Sequence, residues 1–304
     1  MADGPNIDLI VPRYVEIIPF YQAADQMGFH ALWFTETLFS HALGWGISGR
    51  PDNSNALPAA AAATSRIRLG TAQTGSPSPP ISSFATELAN LDRLSSGRVI
   101  LGVSQHQWPD EMIRDGRRPR IGRRLNETIS LLKKLWSEDE VTFKGAHFDL
   151  DRESIGVRPV QVGGIPILVS GMTSASVNLA ATLADGWVQP SGGILEEAAR
   201  GCDTVRELAR GAGRDPDTLV LGKIIYLSID NDRGQARGRL APLLQTFYHG
   251  YDVDSSCAFG KPDECAAFIR GFLVAGITTV MLCLVPPDVE HLERLHREVV
   301  PLLR

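Results

Sequence analysis

Hydrophobic positions along the chain fall into short runs, each closed by turn-forming residues. Eight such runs recur: IDLIV (7–11), ALWF (31–34), IRLGT (67–71), RVILGV (98–103), IPILVS (165–170), GWVQ (186–189), LVLGKIIYLSI (219–229) and TTVMLCLV (278–285). They are nearly continuous in hydrophobicity, the pattern of strands covered on both faces. Between them the apolar spacing becomes that of helices. After the first run, Ile17, Phe20, Tyr21, Ala24 and Met27 share one helical face. After the third, Phe84, Leu88, Leu91 and Leu94 do the same, and Ser96-Gly97 supplies a glycine stop. Further helical stretches are RRLNETISLLKKLW, SASVNLAATLADG, LEEAARGCDTVRELARGAG, KPDECAAFIRGFLVAG and DVEHLERLHREVVPLLR.

Strand–helix alternation repeated eight times predicts an α/β fold, a closed (β/α)8 TIM barrel, with residues 1–304 forming a single domain. The competing arrangement, an open doubly wound sheet, normally carries a glycine phosphate fingerprint after an early strand. Here the first run ends in VPRY, without one. Two intervals are too long for simple connections and are expected to be insertions after strands 4 and 7. Residues 137–164 contain VTFKGAHFDL, which reads as a hairpin turning at Lys144-Gly145. Residues 230–259 are polar before FYHGYD and are expected to form an additional helix and a loop. Loops after barrel strands build the active site, so both are candidate lids or walls, or alternatively ornament or a dimer contact.

Composition narrows the function classes. The 304 residues are 43% hydrophobic and 21% charged, ordinary for a globular protein with a large core. A formal charge of −5 argues against nucleic acid or an anionic membrane as partner. The four cysteines form no CxxC pair and no disulfide framework, and are read as reduced thiols of a cytoplasmic protein. No signal peptide is apparent in MADGPNIDLIVPRY, and no apolar run reaches the ~20 residues of a membrane helix. Arginine greatly outnumbers lysine, which suggests GC-rich coding.

Certain stretches carry a family resemblance. LDRLSSGRVILGV (91–103), RRLNETISLLKKLW, VTFKGAHFDL, RPVQVGGIPILVSG (158–171), AATLADGW (180–187) and FGKPDECAAFIRGFLVAGITTVML occur in order over most of the chain. Together they resemble the bacterial-luciferase-like monooxygenase superfamily. Its members include flavin-dependent monooxygenases, oxidoreductases using the deazaflavin F420, and a few barrels that bind flavin unproductively or not at all.

Candidate chemistry sits at the strand ends. The fifth strand runs into SGMTSAS (170–176) and a helix, leaving N–H groups and hydroxyls at a helix N-terminus. That is a ready anion site, although on the residues alone a simple N-cap by Ser170, Thr173 or Ser174 is the stronger reading. The resemblance implies the phosphate of the cofactor tail here, on Ser170, Gly171, Met172, Thr173 and Ser174. The chain departs from the common pattern, which has two adjacent glycines where Met172 and Thr173 stand. The third strand ends LGTAQTGSPSP. The resemblance implies that Ala72 and Gln73, with Thr74 beside them, form a bulge against the ring, often with a cis peptide. It places Gln105, after the fourth strand, at the ring's polar edge.

Ionisable candidates for the chemistry are Glu36 and His106, with His41 nearby; a surface histidine and a Glu–Arg ion pair are the bland alternatives. No metal site is expected. The family's sugar-phosphate dehydrogenases carry a catalytic His where Thr37 stands and a Lys where Gly193 stands. They also carry an Arg after the eighth strand that has no counterpart in LVPPDVEHL. These departures argue against a phosphorylated sugar as substrate.

Three functions follow. The first is F420-dependent hydride transfer with a small organic substrate. The second is an FMN-dependent monooxygenase served by a separate reductase. The third is a non-catalytic flavin-binding or subunit-partner barrel. Carbon at ring position five makes F420 a hydride carrier, whereas nitrogen lets reduced flavin activate oxygen. Composition favours F420, and Arg114, Arg117, Arg118 and Arg120 offer its acidic tail a basic exit. The expected partners are a small-molecule substrate and a second copy of the chain in a homodimer.

Overall fold

The computed structural model describes residues 4–11, 17–35, 53–74, 80–104, 121–247 and 250–304. All eight apolar runs are parallel strands. In chain order they are β1 (Asn6–Val11), β2 (Ala31–Thr35), β3 (Arg68–Thr74), β4 (Val99–Ser104), β7 (Ile167–Ser170), β8 (Gly186–Gln189), β9 (Val220–Ile229) and β11 (Thr279–Leu284). Neighbours pair in that order, β11 returns to β1, and the β8–β9 pairing completes the closure. Helices α1 (Ile17–Met27), α2 (Asn53–Ala63), α3 (Ile81–Leu94), α4 (Ile121–Ser137), α5 (Ser174–Thr182), α6 (Leu195–Gly211) and α9 (Pro262–Val274) cover the outside. The tail closes with α10 (Val289–Arg294) and further helical turns to Leu303. The expected TIM barrel is the fold.

Both insertions are present. The first is the antiparallel hairpin β5 (Val141–Lys144) and β6 (Asp149–Glu153). Its loop spans 145–148, longer than a turn at Lys144-Gly145, because Glu127 of α4 accepts hydrogen bonds from the N–H groups of Ala146 and His147, both at 2.9 Å. The second contains the expected helix, α7 (Arg233–Phe247), then a short helix α8 (Val253–Ser256) and an additional strand β10 (Cys257–Gly260). β10 extends the sheet beside the far end of β9, with Cys257 opposite Tyr226.

Alternation along each strand sorts side chains into two cores. Leu9, Leu32, Leu69, Leu101, Val169, Trp187 and Leu282 face the helices. Ile10, Ala31, Trp33, Ile100, Leu168, Val188, Ile224, Tyr226 and Met281 fill the lumen. Trp33 dominates the lumen, and glycine makes room for it: a Cβ on Gly70 would collide with the indole, and one on Gly102 would lie 3.0 Å from it. Below the indole, Asp8 is buried and accepts from Trp33 Nε1 at 2.6 Å, with His30 Nδ1 at 2.7 Å from its other oxygen. A charged group in the lumen is thus fully engaged, as burial requires.

Candidate functional site

Parallel strands end at one rim, so the loops after β3, β4, β7, β8 and β9 share the barrel mouth. At β3 the pairing with β4 slips: Thr71 stands opposite Leu101, and Thr74 opposite Val103, which leaves an extra residue on β3 between them. The bulge expected at Ala72, Gln73 and Thr74 is therefore present. Bulges of this kind re-aim a strand end beside a site. Among the described residues the cis peptide is Val285–Pro286.

The junction after β7 is built tightly. Ser170 ends the strand opposite Ser104 of β4, and both are buried. Gly171 takes φ +148°, and a Cβ there would sit 2.6 Å from Ser176 Oγ, so only glycine passes. Its N–H donates to the carbonyl of Val188 at 3.2 Å, and its carbonyl accepts from Trp187 Nε1 at 2.8 Å. Thr173 is the N-cap of α5; its hydroxyl accepts from Ser176 N–H at 3.1 Å and lies 2.9 Å from Ser176 Oγ. The structure thus makes Thr173 the helix cap, and an anion would have to use the N–H groups that the cap leaves over. Ser176 N–H is spent on the cap and Val177 N–H on the Thr173 carbonyl. The N–H groups of Ser174 and Ala175 donate to no acceptor among the described residues, and Met172, Thr173 and Ser174 are exposed. A helix start with two such N–H groups, behind a glycine that admits no side chain, fits a phosphate.

The loop after β8 rests on a residue that pattern reading passed over. Lys223 lies in β9 opposite Gln189 and is fully buried. Its neighbours Ile224 and Tyr226 face the lumen, so Lys223 faces outward, 5.2 Å from the Phe272 ring centroid in α9. Its ammonium donates to the carbonyls of Pro190 at 2.7 Å, Ser191 at 3.1 Å and Gly193 at 2.7 Å. Burial pushes the Lys223 pKa down to about 7, against the attraction of Glu197; the three carbonyls favour the charged form as well. Gln189 Nε2 donates to the Ile194 carbonyl at 3.1 Å, and Ile194 N–H donates to Glu197 Oε2 at 3.1 Å. The sequence signal was there: a lone lysine inside an otherwise apolar run, LVLGKIIYLSI.

Opposite this loop, Tyr226 of β9 stands edge-on to Tyr251 at 6.3 Å, and Gly192 lies against the Tyr251 ring. Cys257 and Cys283 line the same end of the lumen, and burial pushes both thiols up to about 12. Neither is a thiolate nucleophile near neutral pH. His291 is buried beside the last strand, with Nε2 accepting from Ile229 N–H at 2.9 Å and Nδ1 donating to the Pro286 carbonyl at 2.8 Å. Burial lowers its pKa, so the ring is a neutral structural pin. Of the other candidates, Glu36, His41, Gln105, His106 and the arginines at 114, 117, 118 and 120 lie outside the described residues.

The profile of the luciferase-like monooxygenase family matches residues 3–266. The chain belongs to this family. An F420-dependent glucose-6-phosphate dehydrogenase of Amycolatopsis mediterranei is 27% identical to it, over 95% of this chain and 94% of the relative. A 4-hydroxyprotoasukamycin monooxygenase of Streptomyces nodosus subsp. asukaensis is 30% identical, over 70% and 58% respectively. Among solved structures, an F420-dependent secondary alcohol dehydrogenase in complex with an F420-acetone adduct superposes with a TM-score of 0.85, covering 99% of both chains at 22% identity. That likeness is one of fold. Among the described residues no helix is long and apolar enough to cross a membrane.

Proposed function

We propose that this family member is an F420-dependent oxidoreductase that transfers hydride to or from a small organic substrate bearing no phosphate. The observation that carries the cofactor assignment is the end-to-end match with an F420-dependent dehydrogenase, over 95% of the chain. The β7–α5 junction supports it: the helix start leaves the N–H groups of Ser174 and Ala175 without an acceptor among the described residues. In this reading Ser170, Gly171, Met172, Thr173 and Ser174 surround the tail phosphate. The bulge of Ala72, Gln73 and Thr74 supports the ring, and Gln105 bonds its polar edge. When bound, F420 supplies a carbon that gives or takes hydride. Glu36 and His106 are the groups assigned to move the accompanying proton.

The β8 loop supports a substrate without phosphate. At Gly193, where the sugar-phosphate enzymes carry Lys, a Cβ would collide with the Gln189 amide. The cation beneath that loop, Lys223, already gives all its N–H groups to carbonyls. We assign the protein to the cytoplasm, where four buried free cysteines stay reduced, and read the whole chain as one domain working as a homodimer.

The second reading, an FMN monooxygenase with a separate reductase, is favoured by the 30% identity to the Streptomyces monooxygenase. Fluorescence titration with F420 and with FMN decides between them. F420 binding that weakens with salt supports the proposal and its basic exit. Micromolar FMN binding with no F420 binding moves the enzyme to the oxygen-using branch. Binding of neither leaves the non-catalytic barrel.

A further inference from the structure

We propose that Trp187 is a positioning residue for the cofactor seat: its buried indole N–H holds the Gly171–Met172 peptide so that the Met172 N–H is presented to the cofactor phosphate. The proposal rests on reading the β7–α5 junction as that seat.

Strand β8 grips the turn with two successive residues. The Val188 carbonyl accepts from Gly171 N–H at 3.2 Å, and Trp187 Nε1 donates to the Gly171 carbonyl at 2.8 Å. A trans peptide points its C=O and the following N–H in opposite directions. The Gly171 carbonyl is turned to the indole, which is buried in the core between barrel and helices. The Met172 N–H of the same peptide therefore points away from that ring. Met172, Thr173, Ser174 and Ala175 are exposed, and Met172 N–H donates to no acceptor among the described residues. It is a further donor left over at this junction, beside those of Ser174 and Ala175.

Both partners of the indole bond are held. A Cβ on Gly201 of α6 would collide with the indole, so the helix lies directly on the ring. Gly171 takes φ +148°, and a Cβ there would sit 2.6 Å from Ser176 Oγ. Ser176 belongs to the cap, through its bonds with Thr173. Direct contacts thus run from Gly201 through Trp187 and Gly171 to the start of α5.

Any core tryptophan needs a partner for its N–H, and that need alone predicts a loss of stability and nothing more. Trp187 differs in its acceptor, the carbonyl of a peptide whose N–H is unspent at the seat. Hydrogen bonds in series polarise one another. An anion on Met172 N–H makes the Gly171 carbonyl a better acceptor, and the indole N–H registers it.

Ligand pairs that differ only in phosphate test the proposal: FMN against riboflavin, and the 5′-phosphate of the F420 deazaflavin against the same deazaflavin without it. Using both rings separates the test from the choice of cofactor. Binding to the full chain is followed by fluorescence titration and by proton–nitrogen NMR of the assigned protein. The wild-type chain should bind the phosphate form of its ring about tenfold or more tightly than the phosphate-free form. The Trp187 indole and Met172 amide signals should move with the phosphate form and stay with the other. Trp187→Phe keeps a ring in the core and removes the N–H. It should weaken the phosphate form about fivefold, the weight of one hydrogen bond, and leave the phosphate-free form within about twofold. Equal weakening of both forms, an unchanged phosphate preference, or Trp187 and Met172 signals indifferent to phosphate overturns the proposal and leaves the seat standing. A wild-type chain without phosphate preference removes the seat, and this inference with it. If Trp187→Phe fails to fold, the wild-type signals decide alone.

Discussion

Single side chains set several of the conformations described here. Asp25 is one: its carboxylate accepts from the N–H groups of Ser65, Arg66 and Ile67 and from the Ser65 hydroxyl, at 2.6–3.2 Å. Burial alone would raise its pKa, but these hydrogen bonds outweigh burial and hold it below the usual value. A depressed carboxylate stabilises the fold above the ordinary aspartate range, and that contribution is lost as pH falls through the folded-state pKa. Asp25→Asn sets an amide N–H against a backbone N–H and is expected to cost about 1–3 kcal/mol in urea unfolding near neutral pH. The acid limb of the stability curve should flatten at the same time. Gly70→Ala drives a methyl into Trp33, for an expected loss of about 1–3 kcal/mol by thermal unfolding. Both roles were hidden in the sequence. An aspartate in a helix and a glycine in a strand look ordinary until the chain brings residues 65–67 or 33 beside them. Lys223 was half visible, since a charge inside an apolar run demands an explanation, but nothing in the run names the three carbonyls that provide it.

The elements themselves were largely legible, because a strand covered on both faces and an amphipathic helix each leave a local periodicity. What escaped lacked one. Helix α2 reads NSNALPAAAAA, small residues with no polar-to-apolar stripe, and it earns its place by letting Ala56 and Ala60 approach the strands. β10 is four residues long, and its pairing with the far end of β9 is a tertiary fact. At the β7–α5 junction the cap is Thr173, and the N–H groups of Ser174 and Ala175, which donate to no acceptor among the described residues, are left for the proposed anion seat. Aspartate is itself a good cap, so Thr173→Asp should leave α5 intact while placing a negative charge at the seat. Cofactor affinity is expected to fall by about tenfold, ~1.4 kcal/mol, with unchanged helicity by circular dichroism. Unaltered binding would put the phosphate elsewhere. The candidates Glu36, Gln105 and His106 lie outside the described residues, and their roles are proposals.

For the molecule as a whole, the cysteines offer a measure of integrity. All four are buried, and burial pushes Cys202 up to about 11 and Cys257, Cys265 and Cys283 up to about 12. The native protein should therefore resist a thiol-specific reagent at mildly alkaline pH, and all four should react together once denaturant unfolds the barrel. Early reaction of one would reveal a local opening in its layer. The packed lumen has a larger consequence. Trp33, wedged between glycines and tied to Asp8, stoppers the barrel below the mouth. Among the described residues the lumen beneath the rim is filled, so in the proposed site whatever sits deepest arrives first and departs last. If the cofactor rests on the bulge with the substrate above it, as proposed, the expected rate law is an ordered sequence, cofactor leading, in which a dead-end analogue of the substrate traps the cofactor behind it.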